Sequence, residues 1–172
     1  MILPYLHWSP EVHATAFVAD SAEVMGRVSI GPDASIWYQC VLRGDVEDIR
    51  VGARSNIQDH CMLHTSHNAT PCVVGEDVTI GHRVILHGCE VEDASLIGMG
   101  SIIMDRARIE SGCLLAAGSL VTEGKVLRGG YLYAGAPARE RRELNADEIA
   151  FLRTSATHYV ALAKSHIRPA TH

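Results

Sequence analysis

A repeat of six residues constrains this chain more than any other feature. Aliphatic side chains fall at Val12, Val18, Val24, Ile30, Ile36 and Leu42, then after an offset of three at Val51, Ile57 and Leu63. After a five-residue insertion they resume at Val74, Ile80 and Leu86; one residue is then dropped, and the series finishes at Val91, Ile97, Ile103, Ile109, Leu115 and Val121. A linked position, four residues after the aliphatic, is small at Ala22, Ala34, Cys40, Ser55, Cys61, Ser95, Ser101, Ala107, Cys113 and Ser119. Chance does not hold two linked positions over so long a stretch. A six-residue unit suits a short strand plus a bend, and three units close a triangular coil. Successive coils then stack at the inter-strand spacing of about 4.8 Å. The aliphatics point inward as ladders and the small residues fill the corners. Such a core needs few aromatics, and the chain carries only two Phe and two Trp. Gly31, Gly52, Gly75, Gly81 and Gly98 directly follow the aliphatic, where a tight turn with positive φ is expected.

The 172 residues read as a single domain: a β-helix over about 11–126, a turn-rich connection over 127–144 and a helix over 145–166. After Val121 the pattern dissolves into Gly124, Gly129 and Gly130. Asn145 is placed to cap the helix, with Glu148 three residues on completing a capping box. Ile149, Leu152, Ala156, Tyr159 and Ala163 make one apolar stripe, expected against a prism face or a neighbouring subunit. His158 and His166 on this helix read as ordinary surface or packing residues. A formal charge of −5 without a Lys/Arg cluster argues against a nucleic-acid partner. No apolar run approaches the roughly 18 residues of a membrane span, and no signal peptide is expected. Five cysteines without a C-x-x-C pair fit free thiols in a reducing cytoplasm, not a disulfide framework or zinc finger.

Five of the ten histidines lie between Asn56 and Gly88: His60, His64, His67, His82 and His87. Counting hexads modulo three puts Leu42, Leu63 and Leu86 on one face. The residues after them, Arg43, His64 and His87, form an outward column with neighbours one strand spacing apart. Two imidazoles so placed can meet one metal ion, given Zn–N bonds of about 2.0–2.1 Å. Ile57 and Ile80 lie on the preceding face, and two residues after them come Asp59 and His82. Closing a three-histidine site within one chain is therefore awkward. It becomes natural if prisms pack about a three-fold axis, so that His82 of one subunit faces His64 and His87 of the next. His60 carries no comparable signal.

The motifs Arg43-Gly44-Asp45, Asn56-Ile57-Gln58-Asp59, Leu63-His64, Ile80-Gly81-His82, Leu86-His87-Gly88-Cys89 and Leu96-Ile97-Gly98-Met99-Gly100, in this order and spacing, resemble the gamma class of carbonic anhydrases. That family belongs to the hexapeptide-repeat superfamily, and the resemblance covers roughly residues 10 to 165. It implies that the β-helix is left-handed, and that the protein is a homotrimer with a divalent metal at each interface, zinc first, with iron or cobalt as alternatives. His64, His82 and His87 would be the ligands, and Arg43 and Asp45 members of an inter-subunit ion-pair network. Gln58 would orient solvent and substrate, with Asp59 behind it. The implied reaction is attack of metal-activated hydroxide on CO₂, giving bicarbonate.

The chain departs from the most active members of that family at two places. They carry a glutamate directly after the Arg-Gly-Asp motif, where this chain has Val46. They also carry an acidic loop after the first ligand, whereas Thr65 to Cys72 contains no carboxylate. His67 is the relay candidate left there, and weak or conditional activity is expected. Three other functions stay open at this level. These are a hexapeptide acyltransferase, a metal-dependent thioesterase-like hydrolase, and a non-catalytic trimeric metal-binding protein.

Overall fold

Every aliphatic of the repeat from Val24 to Val121 is at most 3% exposed. In the computed structural model, which describes residues 1–67 and 70–167, these side chains fill a parallel β-solenoid of about seven turns, followed by one C-terminal helix. Strand pairing resolves them into three in-register ladders. Val24, Leu42, Leu63, Leu86, Ile103 and Val121 stack on one face. Ile30, Val51, Val74, Val91, Ile109 and Leu127 stack on the second. Val18, Ile36, Ile57, Ile80, Ile97, Leu115 and Tyr133 stack on the third. The insertion after Leu63 and the dropped residue after Leu86 leave this stacking intact, because both fall at bends between strands. The offset after Leu42 is carried within the long strand Val41–Val51, whose pairing with Glu23–Ile30 shifts register between Gly26 and Val28.

Two details of the coil differ from the sequence expectation. The ladders run past Val121 to Leu127 and Tyr133, which are 0% and 4% exposed. Tyr133 hides the repeat because it is not aliphatic. Its ring takes the inward position while its hydroxyl accepts the Arg128 amide at 3.0 Å. The five glycines that follow aliphatics are not at positive φ; the chain approaches itself too closely there for a side chain. A Cβ on Gly52 would fall 2.4 Å from the Gly75 carbonyl oxygen one coil away. Positive φ falls instead three residues after the aliphatic, at Asp33, Gln39, Arg54, His60, Asp77, Arg83, Ala94 and Arg106. His60 is thus a corner residue, exposed, with φ 63°.

The helix Ala146–His166 starts at the anticipated capping box. Asn145 Oδ1 accepts the Glu148 amide at 2.9 Å, and Glu148 Oε2 accepts the Asn145 amide at 3.0 Å. It lies along the third face, against the strands Phe17–Val18, Ser35–Ile36, Asn56–Ile57 and Thr79–Ile80. Leu152, Ser155, Ala156 and Ala163 are buried there. Ile149, expected in the stripe, is 49% exposed, because the buried stripe begins one turn later at Leu152. His166 packs edge-on to Trp37 with ring centroids 5.1 Å apart, while His158 is exposed. All five cysteines are free and buried. Among the described residues no helix is long and apolar enough to cross a membrane.

Gly52→Ala is expected to lower the unfolding free energy by about 1–3 kcal/mol, the usual cost of forcing atoms into a full core. Urea denaturation of the variant checks this.

Candidate metal centre

His64 and His87 each follow an inward leucine, so both rings project outward, and the two residues are paired across adjacent strands. His64 Nδ1 lies 3.2 Å from His87 Nε2. The opposite nitrogen of each ring is held by a carboxylate. His64 Nε2 donates to Asp45 Oδ1 at 3.1 Å, and His87 Nδ1 donates to Asp105 Oδ1 at 2.9 Å. Those outer bonds fix the tautomers. The protons lie on the carboxylate side, so two lone pairs face each other across 3.2 Å.

Two opposed lone pairs repel unless a cation lies between them. Two imidazoles on one tetrahedral zinc, with bonds of about 2.0–2.1 Å, have their nitrogens roughly 3.3–3.4 Å apart. The separation, the tautomers and the carboxylates on the far nitrogens all fit a divalent metal.

Charge around the pair is arranged to the same end. Burial pushes the Asp45 carboxyl up, but hydrogen bonds from Arg43 and His64 outweigh it and hold the group below the usual carboxylate range. Arg43 pairs with Asp45 from the same strand and is 42% exposed, so the guanidinium also faces outward. Burial lowers the His64 pKa, the Arg43 charge and His87 add to this, and the Asp45 bond only partly compensates. His64 is therefore held neutral, the form in which an imidazole binds metal.

His82 stands apart on the adjoining face. Its Nδ1 bonds Asp59 Oδ2 at 2.9 Å, and its side chain is 46% exposed. Asp59 thus holds His82 in place. Among the described residues no group of three His, Cys, Asp or Glu side chains is arranged to hold a metal within one chain. Gln58 is 6% exposed, and its Nε2 donates to Asn56 Oδ1 at 3.1 Å. Asn56 Nδ2 donates in turn to Thr79 Oγ1, also at 3.1 Å, and Thr79 Oγ1 contacts Ser155 Oγ of the helix at 2.9 Å. His67 is exposed in a turn. Asn68 and Ala69 of the same loop lie outside the described residues.

The sequence reasoning missed Asp105 and Ser66. Asp105 Oδ2 accepts from Ser66 Oγ at 3.0 Å, so the loop after His64 and the coil above His87 meet at one carboxylate. The signal was present in the coil count. Ile103 stacks on Leu86, which puts Asp105 one coil above the His87–Gly88 bend.

Known proteins resemble the chain over most of its length. "Gamma carbonic anhydrase 1, mitochondrial" of Arabidopsis thaliana is 46% identical over 92% of the chain, which spans 59% of that protein's length. "Carbonic anhydrase" of Geobacillus kaustophilus is 46% identical over 93% of this chain and 87% of its own. A solved structure, a hexapeptide transferase family protein from Anaplasma phagocytophilum, superposes with a TM-score of 0.93 at 48% identity, over 96% of this chain and 98% of that one. No family model matches the chain.

With its pKa lowered by burial, His64 is neutral in the fold where the unfolded chain would still bind a proton. Its contribution to stability is present above the unfolded value near 6.5 and lost as pH falls below it. Chelator-treated protein should therefore lose urea resistance from pH 7.5 to about pH 5, and His64→Gln should flatten that slope.

Proposed function

The chain belongs to the gamma carbonic anhydrase family, and on that premise we propose that it interconverts CO₂ and bicarbonate as a homotrimer. Each of the trimer's metal sites would combine His64 and His87 of one subunit with His82 of the next. The observation that carries this is the 3.2 Å pair of imidazole nitrogens, each backed by a carboxylate on the far side. His82 suits the role of third ligand. Its Nδ1 is engaged by Asp59, which leaves Nε2 to reach a neighbouring molecule from a half-exposed side chain.

The surface beside the pair supports assembly of this kind. Val41, Met62, Ile85, Ile102 and Leu120 stack in register, each one residue before an inward aliphatic. Met62, Ile85 and Ile102 are 37%, 38% and 36% exposed. An outward apolar column running beside the histidines is the kind of patch that a subunit interface covers. Arg43, exposed beside it, is placed to extend the Asp45 pair across such an interface.

Zinc is the first choice of metal, although three imidazoles suit iron and cobalt as well. An ion held there supplies the Lewis acidity that makes hydroxide accessible near neutral pH. The chain's own residues do the rest. Asp45 and Asp105 keep the outer ring protons and aim the lone pairs, and Asp59 does the same for His82. Gln58, its amide nitrogen anchored on Asn56, keeps Oε1 for orienting solvent and substrate. His67 would carry protons to bulk solvent, a task for which imidazole is suited near neutral pH. With Val46 and a loop free of carboxylates around it, relay capacity is small, and modest turnover is expected. Five buried free thiols fit a reducing, cytoplasmic setting.

The test is subunit complementation. His82→Ala and His64→Ala proteins, each loaded with zinc or anaerobically with iron, should hydrate CO₂ no faster than buffer in a stopped flow. Denatured and refolded together in equal amounts, they should recover about one quarter of wild-type activity, because one interface in four then joins an intact pair to an intact His82. A mixture no better than its parents would rule out ligands shared between subunits. Wild type that holds metal without hydrating CO₂ would remove the carbonic anhydrase assignment.

A further inference from the structure

Asp105 contacts the histidine pair from the coil above, and the family motifs do not include it. Three local features combine to place it. First, the repeat loses a residue between Leu86 and Val91, and the bend comes early. Positive φ falls at Gly88, two residues after the aliphatic, instead of three. Second, Gly88 leaves room for the carboxylate. A Cβ there would sit 2.3 Å from Asp105 Oδ1. Third, the bend is pinned from three sides. The Gly88 amide donates to the His64 carbonyl at 2.9 Å, and the Gly88 carbonyl accepts from the Arg106 amide and Thr70 Oγ1, both at 2.7 Å.

The missing residue, the glycine and the carboxylate therefore form one device. With an ordinary bend and a side chain at position 88, Asp105 could not reach back to His87. As built, Asp105 Oδ1 takes the His87 Nδ1 proton, and Oδ2 takes the Ser66 hydroxyl. Asp105 is 18% exposed, so the bond to His87 is largely shielded from water.

We infer that Asp105 is a positioning residue for the metal centre, holding His87 in the ligating tautomer, and that Ser66 holds Asp105, so that the loop following His64 sets how tightly the ion is bound. This rests on the metal assignment proposed above. A carboxylate behind a ligating histidine fixes ring orientation and raises ligand basicity, and its loss typically weakens metal binding by about 10–100-fold. Asp45 plays the corresponding part for His64 from the coil below.

The test measures binding, not turnover. Full-length wild type, Asp105→Ala, Asp105→Asn and Ser66→Ala are freed of metal and titrated with zinc against a chromophoric chelator. The visible spectrum of each cobalt(II)-loaded form is recorded beside its melting temperature. Asp105→Ala should bind zinc about 10–100-fold more weakly and show an altered cobalt spectrum. Asp105→Asn should lose less, since its amide oxygen can still accept from Nδ1, and Ser66→Ala less again. An Asp105→Ala protein within twofold of wild-type affinity would overturn the inference. So would one whose melting temperature falls while its cobalt spectrum is unchanged, the mark of a purely structural role. Should Asp105→Ala fail to fold, Asp105→Leu, similar in volume but without an acceptor for Nδ1, decides by the same criteria. Wild type that binds no zinc would instead remove the metal assignment itself, and this inference with it.

Discussion

In-register stacking of parallel strands is the constraint on which everything else in this structure depends. Each strand sits about 4.8 Å above the one below. A residue type recurring at the same place in consecutive coils therefore becomes a vertical column. Turned inward, the columns are ladders of Val, Ile and Leu, each fully buried side chain contributing about 1.5–3 kcal/mol. Turned outward, the same rule sets His87 over His64. The spacing of strands is close to what two ligands of one ion require once the rings tilt toward each other. The ring planes here are inclined by 58°. No flexible loop has to deliver either histidine.

That rule also explains what was legible in the sequence. The inward ladders, the corner residues and the His64–His87 register could all be read, because a strict period turns sequence distance into spatial distance. Legibility failed where a residue met the rule through other physics. Tyr133 continues a ladder of aliphatics because its ring fills the space and its hydroxyl finds the Arg128 amide. The glycines after the aliphatics suggested positive φ, yet close approach between coils requires them, and the left-handed conformation falls to residues such as Asp33 and Arg54. Asp59 could be placed beside His82 by column, but its hydrogen bond to that ring could not be inferred from spacing alone.

The breaks in the period matter as much as the period. An uninterrupted solenoid would carry the same outward column along its whole length, with nothing to mark one pair of coils. The insertion after Leu63 supplies Ser66 beside the pair, and the deletion after Leu86 opens the space that Asp105 uses. Both departures adjoin the two histidines, one below His87 and one just after it. Hydrogen bonds from Thr70 to Gly88 and from the Glu47 amide to Thr65 tie the interrupted segments back to the coil, so the irregular backbone is held by its neighbours.

Rigid coils do impose a limit, and it is the reason the proposed site is shared between subunits. Side chains one residue past an aliphatic on one face cannot turn the corner to meet those on the next. A third ligand on the same face would have to come from a third coil, roughly twice the strand spacing from the first and too far for one ion. The next outward position along that column is Arg43 below, and Met104, one residue past Ile103, follows above; neither is a suitable ligand. A solenoid of this kind can present two ligands from one face, not three. His82, fixed by Asp59 on the adjoining face, would meet that shortfall in the proposed trimer, where a second solenoid packs against the first. In that arrangement metal binding and assembly would become one equilibrium, each stabilising the other by mass action.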